Sequence, residues 1–208
     1  AGARAAAAAG AKAIVMDDGF QNPTLAKDLA LLVVDGTQGF GNGRVLPAGP
    51  LREPVDRALA RADAVVLIGK DGAGLAPVLA GKPVLAARLV PDDSARVLAG
   101  RKLLAFAGIG RPEKFFESLR AIGAELAATA VFPDHHPYSA AELHRIFDRA
   151  ERLGARLVTT AKDSVRLPPS LRAQVHAVDV RLEWADPAAL DRLLAPILRR
   201  HATGRGAD

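Results

Sequence analysis

The sequence predicts an α/β fold whose strands form a parallel sheet. Short apolar runs rich in Val, Ile and Leu end abruptly in Asp and Gly, which is typical of strands buried on both faces of such a sheet. These runs alternate with segments of helical periodicity, which implies crossover connections between parallel strands. Half of the 208 residues are apolar, so the chain is long and apolar enough to bury a substantial core.

In the first half of the chain, each element has a local reason. The Ala-rich residues 1–10 are expected to form the last part of a helix, because Ala is the best helix former and Gly10 suits a C-cap. A helix over residues 53–62 has Pro54 at its start, where the missing N–H costs nothing. Strands are predicted over residues 13–16, 29–34, 63–69 and 83–89, with short helical turns at 24–28 and 75–79.

A second unit is expected after the polar stretch Asp92-Asp93-Ser94. There, Gly108-Ile109-Gly110 joins a strand to a helix, a turn that either holds a phosphate or serves tight packing. Ser139 and Glu142 have the spacing of a capping box. Strands are predicted over residues 102–107, 126–132, 155–160 and 175–180, and helices from Pro112, over 140–153 and over 186–200, with a frayed tail from His201. The expected domains are residues 1–95, 96–185 and 186–208, the last being a C-terminal helix and tail.

Composition narrows the function classes. The chain has no cysteine, which excludes disulfides, thiolate catalysis and cysteine metal sites. A net charge of +5 and a pI near 10.0 are compatible with nucleic acid, phosphorylated lipid or an anionic membrane surface. Aromatic residues make up only 4%, which argues against stacking on single strands. Since Met16 is the only methionine, the chain is expected to begin inside a longer protein.

Acidic residues follow two of the apolar runs. Asp17 and Asp18 follow the first, and Asp35 follows the second. Ligands of parallel sheets bind beyond the carboxyl ends of the strands, so these carboxylates are expected at one ligand edge. Mg2+ prefers such hard oxygen ligands and keeps several waters. The alternative is that Asp and Gly only turn the chain, and the doubled acid favours the metal site.

A long loop over residues 39–54 is rich in Gly and Pro. Loops of this length in compact domains are usually functional or disordered. Asn42, Arg44 and Arg52 give the loop a capacity for anions, because Arg pairs bidentately with phosphate. A surface loop with solvated arginines is the alternative.

The sequence Asp134-His135-His136 contains the only histidine cluster. A metal site with both histidines as ligands is disfavoured, because adjacent side chains of an extended segment point in opposite directions. Acid–base chemistry and a structural turn remain open, since His titrates near neutral pH and also satisfies backbone groups.

Four segments carry a resemblance to a known family. They read DDGFQN from Asp17, DGTQGFGNGRVLPAGPLREP from Asp35, FPDHHPYS from Phe132 and TTAKD from Thr159. In this order they resemble the tetraacyldisaccharide 4'-kinases, the lipid A 4'-kinases of Gram-negative bacteria, over nearly the whole chain. The resemblance implies a P-loop NTPase-like parallel sheet, incomplete in this sequence, followed by a smaller α/β/α domain.

The same resemblance implies a transferase that moves the γ-phosphoryl group of ATP to the 4'-hydroxyl of a tetraacylated disaccharide 1-phosphate in lipid A (lipopolysaccharide) biosynthesis. ATP and Mg2+ are the expected cofactors, because phosphoryl transfer needs a metal and positive charge around the phosphates. The lipid disaccharide is the expected partner, and no nucleic acid is expected. The protein is expected to be cytoplasmic and peripheral to the inner membrane.

The resemblance also implies site residues. Asp17 and Asp18 are expected to hold the metal, with Asp17 also contacting the cofactor. Asp18 and His135, rather than His136, are the expected catalytic residues, His135 assisting an aspartate base. Lys162 is expected to balance phosphate charge, although composition alone makes it an ordinary surface lysine. The expected substrate-binding residues are Asn42, Arg52 and Glu53.

The sequence departs from the family in one respect. A phosphate loop reads GxxxxGK[ST], and none occurs in these residues, since neither Gly69-Lys70 nor Gly81-Lys82 is followed by Ser or Thr. The aspartate base and the membrane-docking helix that lie upstream in the family are also absent from these residues. The chain is therefore expected to be a fragment that is inactive alone. Two other hypotheses are a non-catalytic anion- or phosphate-binding α/β module and another nucleotide-dependent phosphotransferase.

Overall fold

The computed structural model describes residues 2–202, with side-chain environments through residue 199. The structure divides into two compact units, one formed by Ala1–Arg88 with Glu183–Asp208 and the other by Leu89–Leu182. Both contain parallel β-strands with helices, which confirms the predicted α/β fold. The domain limits predicted at residues 95 and 185 stay predictions, and residues 203–208 of the predicted tail lie outside the described residues.

Helices and strands alternate along much of the chain. The helices are α1 (Gly2–Ala8), α2 (Val55–Arg61), α3 (Pro112–Ala121), α4 (Ala140–Leu153), α5 (Ala161–Ser164), α6 (Pro169–Arg172) and α7 (Pro187–Ala202), with a 3-10 helix at Asp93–Leu98. The strands are β1 (Leu31–Asp35), β2 (Ala64–Ile68), β3 (Val84–Pro91), β4 (Lys102–Ala107), β5 (Glu125–Val131), β6 (Arg156–Thr160), β7 (His176–Val178) and β8 (Val180–Trp184).

The first sheet has the strand order β1-β2-β3-β8, and its first three strands are parallel. One face packs Val34 and Val65 against Leu75 and Leu79. The other face is covered by α7, which lays Leu190 and Leu193 against Val66, Leu85 and Ala87. Of these strands, β2 is covered on both faces, as its continuous apolar composition predicts, whereas Val33 of the edge strand β1 is 59% exposed.

The predicted strand at residues 13–16 is wrong. These residues form no ladder with a neighbouring strand, and Val15 is 95% exposed. A strand requires a partner for its backbone N–H and C=O groups, and β1 pairs with β2 alone. The helical turn predicted at 24–28 is wrong, because that segment forms only bends. Residues 75–79 form a single hydrogen-bonded turn, in which Leu79 N donates to the Leu75 carbonyl at 2.9 Å.

The second sheet is parallel throughout, with strand order β5-β4-β6-β7. The central strand β4 is buried from Leu103 to Ala107. Helix α3 covers one face through Phe115, Phe116 and Leu119. Helix α4 covers the other through Leu143 and Ile146, which makes a three-layer α/β/α unit.

The last predicted strand, at residues 175–180, is in fact two strands. Asp179 separates β7 from β8, and the two belong to different sheets. Among the described residues, no helix combines the length and the apolar composition required to span a bilayer.

Candidate functional site

In the first unit, the paired acids lie beside an arginine of the Gly/Pro loop. Both carboxylate oxygens of Asp18 accept hydrogen bonds from Arg52 Nη1, each at 3.0 Å. The Asp18 side chain is 71% exposed and the Arg52 side chain 58%, so the pair is open to solvent. Asp17 is exposed as well. The acids and the arginine therefore form an accessible polar site rather than a structural contact in the core.

The segment after the acids contacts Glu53, which precedes α2, and Arg61, the last residue of α2. Gln21 Nε2 donates to Glu53 Oε1 at 2.7 Å, and Arg61 donates to the same oxygen. The Arg61 guanidinium also lies over the Phe20 ring, 4.6 Å from its centroid. Glu53 is thus used to fix the segment that bears the acids, and its expected role in substrate binding stays a prediction.

Asn42 braces the Gly/Pro loop from within. Its Nδ2 donates to the Ala48 carbonyl at 2.9 Å, and its Oδ1 accepts from Arg44 N at 3.1 Å. A Cβ on Gly49 would overlap Asn42 Oδ1, so this turn requires glycine. The loop is ordered by its own polar groups, and the expected contact of Asn42 with substrate stays a prediction.

Asp35 ends β1 and turns the chain. Its Oδ1 accepts from Thr37 N at 2.9 Å and from Gln38 N at 3.2 Å. This is the side-chain-to-backbone pattern of an Asx turn. The turn alternative therefore describes Asp35. Asp17 and Asp18 also lie in a turn, exposed and not after a strand of the sheet, so their predicted place at the carboxyl end of a strand is wrong.

Backbone conformation singles out two residues. Among the described residues, Asp18 and His135 are the only non-glycine residues with positive φ, at 49° and 58°. Asp and His tolerate this left-handed region better than most side chains do, yet it is still uncommon. Such residues concentrate at functional sites, and these two are the residues for which the sequence predicts catalytic roles.

In the second unit, a buried aspartate joins the carboxyl ends of β4 and β6. Asp163 is completely buried, and its Oδ2 accepts from Gly108 N at 3.0 Å and from Thr160 Oγ1 at 2.7 Å. Its Oδ1 accepts from Arg166 Nη1 at 3.0 Å. Sequence reasoning missed Asp163 and Arg166 as site residues. Two signals pointed to Asp163: it ends the TTAKD segment, and it has cap-like spacing from Thr160, whose side chain accepts from the aspartate N–H.

The two histidines have different environments. His135 is exposed, with 80% of its side chain accessible, and its Nε2 lies 3.9 Å from Asp134 Oδ2. His136 is packed, since its ring stacks on Phe132 with a centroid separation of 5.0 Å. His136 Nε2 also lies 3.1 Å from both oxygens of Glu142. His136 therefore stabilises the turn, and His135 is the histidine accessible to a ligand.

The predicted capping box of α4 is confirmed. Ser139 Oγ accepts from Glu142 N, and the Glu142 carboxylate accepts from Ser139 N at 2.8 Å. Hydrogen bonds from Ser139, followed by the one from His136, lower the pKa of Glu142 to about 2. Glu142 thus couples the start of α4 to the histidine turn.

The remaining predicted site features of this unit lie at its surface. Lys162 is exposed on α5, next to the buried Asp163, and its expected contact with phosphate stays a prediction.

The turn at Gly108-Ile109-Gly110 has a carboxylate beside it. A Cβ on Gly110 would lie 3.7 Å from Asp134 Oδ2, so this carboxylate lies near the N-terminus of α3. Negative charge is favourable there, and the carboxylate disfavours a phosphate at the same point.

Tyr138 lies in the same cluster, and its hydroxyl gives a testable pH dependence. The Tyr138 oxygen is buried and meets no hydrogen-bond partner among the described residues. Burial, and then the neighbouring Asp163 carboxylate, raise the pKa of Tyr138 above its usual value. Because the folded state favours the protonated hydroxyl, this contribution to stability is complete below pH ~10 and is lost as the pH rises further.

Tyr138 is the only tyrosine, so phenolate absorbance reports this residue alone. We expect the absorbance of the folded protein to rise at higher pH than that of a tyrosine peptide. Asp163→Asn is expected to move the rise to lower pH, because it removes a negative charge. A rise at the ordinary pH, while circular dichroism still shows the fold, would contradict the description of Tyr138.

Metal-binding capacity is limited to small ligand sets. Within residues 2–202, no group of three or more His, Asp or Glu side chains could hold a metal ion. Mg2+ does not need such a group, because it binds through one or two carboxylates and keeps several waters. Asp17 and Asp18 are adjacent, exposed and rich in oxygen, so they fit this requirement.

Comparison with known proteins gives a consistent set of relatives. The family model described as LpxK, Tetraacyldisaccharide-1-P 4'-kinase, matches residues 1–199. The Tetraacyldisaccharide 4'-kinase of Rhodospirillum centenum is 62% identical over 200 residues, which are 95% of this chain and 59% of that protein. The one from Gluconacetobacter diazotrophicus is 60% identical over 195 residues, which are 93% of this chain and 60% of that protein.

A solved structure is also similar. The crystal structure of the "apo" form of LpxK from Aquifex aeolicus in complex with ATP matches with a TM-score of 0.57 and 25% identity. The match covers 86% of this chain and 55% of that one. The chain thus spans about three fifths of the length of the curated relatives it matches.

Proposed function

Because the chain belongs to the tetraacyldisaccharide-1-phosphate 4'-kinase family, we propose that it forms part of an enzyme that phosphorylates the 4'-hydroxyl of a tetraacylated disaccharide 1-phosphate with ATP. The observation that carries the proposal is the exposed pair of Asp17 and Asp18 beside the Arg52 guanidinium. Phosphoryl transfer depends on positioning and on the balance of charge around the phosphates. An accessible pair of carboxylates next to an arginine places both signs of charge at one point of the surface.

Asp17 and Asp18 would hold Mg2+, whose oxygen preference they meet. When bound, the ion neutralises phosphate charge and orients the phosphate groups. Arg52 keeps a positive charge 3.0 Å from the Asp18 oxygens. Its fork of donors suits a phosphate or sugar oxygen of the substrate. The contacts of Gln21, Glu53 and Arg61 fix this group, which limits the reorganisation needed on binding.

His135 takes the acid–base or orienting role in this proposal. It is the exposed member of the histidine pair, and its left-handed backbone holds the ring at the end of β5. Lys162, exposed after β6, would balance phosphate charge. Asn42 orders the loop that bears Arg52. In this proposal Asn42 supports substrate binding by holding that loop in place.

The proposal extends to where the enzyme works and how much of it this chain supplies. The substrate is a lipid, and the basic chain, with a net charge of +5, suits the anionic cytoplasmic surface of the inner membrane. The phosphate loop GxxxxGK[ST] has no match in the 208 residues. We therefore propose that these residues are inactive alone and that the full-length gene product is the active kinase.

The test is transfer of labelled γ-phosphoryl from ATP to the lipid disaccharide 1-phosphate. The full-length gene product is expected to label the 4'-oxygen in the presence of Mg2+, and the 208-residue chain alone is expected to give no label. A folded full-length protein that yields no labelled 4'-phosphate, or that labels another position, would refute the proposed reaction. Activity of the 208 residues alone would refute the proposal that these residues need the rest of the gene product for catalysis.

A further inference from the structure

Arg166 makes a hydrogen bond that fixes the proton position on the His135 ring. Arg166 Nη2 lies 2.9 Å from His135 Nδ1. Arginine carries only donors and stays protonated in proteins, so Nδ1 must be the acceptor. A ring that accepts at Nδ1 carries its proton on Nε2. The geometry therefore selects one of the two neutral tautomers of His135.

Arg166 is itself held in place by the buried aspartate. Its Nη1 donates to Asp163 Oδ1 at 3.0 Å and to the Gly108 carbonyl at 3.2 Å. Asp163 has no exposed surface and is fixed in turn by Gly108 N and Thr160 Oγ1. The Arg166 guanidinium thus links the buried Asp163 to the exposed His135. The Arg166 side chain is 23% exposed.

The backbone of His135 uses the same anchor as its ring. His135 N donates to the Gly108 carbonyl at 3.1 Å, the oxygen that also accepts from Arg166. A Cβ on Gly108 would come within 3.0 Å of the Pro133 carbonyl, so only glycine allows this approach without a shift of the backbone. The main chain of His135 is therefore held at the end of β4 directly, and its ring is held there through Arg166.

We propose that Arg166 is a positioning residue that holds His135 as the Nε2–H tautomer and so presents an N–H donor, rather than a proton acceptor, at the exposed side of the ring. The inference rests on the proposed function, in which His135 takes an acid–base or orienting role. A donor at Nε2 suits a carboxylate or a phosphate oxygen. The Asp134 carboxylate, 3.9 Å from Nε2, shows that an oxygen is accommodated near this position.

The first experiment reads the ring directly. Nitrogen NMR of the chain labelled at histidine is expected to show His135 with an unprotonated, hydrogen-bonded Nδ1 and a protonated Nε2. The chain has five histidines, and loss of the signal in His135→Gln assigns it. Arg166→Lys keeps the charge but loses the fork of donors, so its ring is expected to give the averaged shifts of two exchanging tautomers. Arg156→Lys, an exposed arginine at the other end of β6, is the control.

A protonated Nδ1 in the unsubstituted protein would overturn the proposal, as would an unchanged ring in folded Arg166→Lys. Where the variant fails to fold, a protonated Nδ1 in the unsubstituted protein still overturns the proposal.

The second experiment separates positioning from the proposed reaction. In the full-length gene product, Arg166→Lys is expected to lower kcat on the order of a hundredfold with little change in KM, since a misplacement of ~1 Å has this cost. If His135→Gln lowers kcat while Arg166→Lys does not, the positioning role is overturned and the proposed function stands. If His135→Gln leaves kcat unchanged, the proposed role of His135 fails, and the positioning role fails with it.

Discussion

Replacing Asp18 with Asn in the full-length gene product is expected to lower kcat for 4'-phosphorylation by roughly a hundredfold. A bound metal supplies several kcal/mol of transition-state stabilisation, and a loss of ~3 kcal/mol corresponds to about two powers of ten in rate. Asn keeps the shape of the side chain but removes the negative charge that Mg2+ requires. Steady-state kinetics of labelled phosphoryl transfer at saturating ATP measures the effect.

The same substitution is expected to leave the fold almost unchanged, which separates a functional role from a structural one. The Asp18–Arg52 pair is largely exposed, and ion pairs of this kind contribute ~0–1 kcal/mol. Asn also tolerates the positive φ of residue 18 as well as Asp does. Asp56→Asn, an exposed acid in the first turn of α2, is the matched control and should keep full activity. Equal activity of the two variants would contradict the metal assignment.

Asp163→Ala is expected to lower the free energy of unfolding of the chain by roughly 3–5 kcal/mol, because it leaves two buried donors unpaired and removes the counter-ion of the partly buried Arg166. Asp163 is completely buried and accepts from Gly108 N, Thr160 Oγ1 and Arg166 Nη1. All three donors lose their acceptor at once. Urea denaturation followed by circular dichroism measures the change.

Asp163→Asn is expected to lower the free energy of unfolding by less than Asp163→Ala does, because the amide oxygen of Asn still accepts a hydrogen bond. Glu151→Ala, an exposed acid at the end of α4, serves as the control and should stay within about 0.5 kcal/mol of the unsubstituted chain. A loss below ~1 kcal/mol for Asp163→Ala would show that Asp163 does not organise this site, since that is the size of a surface effect.

Local sequence signals predicted most of the second unit. The helix from Pro112, the capping box at Ser139 and the strand at β4 all follow from chemistry within a few residues of each element. The strand at residues 13–16 failed for the opposite reason. Its apolar composition fits a strand, but strand formation depends on a pairing partner, which a local pattern cannot show.

The site residues show the same contrast between local motifs and long-range contacts. Asp18 and His135 were predicted from motifs, and the structure places one beside Arg52 and the other beside Arg166. Asp163 and Arg166 were missed, because their significance depends on contacts with Gly108, more than fifty residues away along the chain. The sequence also left the choice between neighbouring histidines to the family resemblance, whereas burial of His136 decides which ring is accessible.

The most direct measurement is binding of Mn2+, a spectroscopic substitute for Mg2+ with the same preference for oxygen ligands, to the full-length gene product in the presence of ATP. Electron paramagnetic resonance is expected to show bound Mn2+ in the unsubstituted protein and its loss when Asp17 and Asp18 are both replaced with Asn. Unchanged Mn2+ affinity in that folded double variant would contradict the assignment of the two acids.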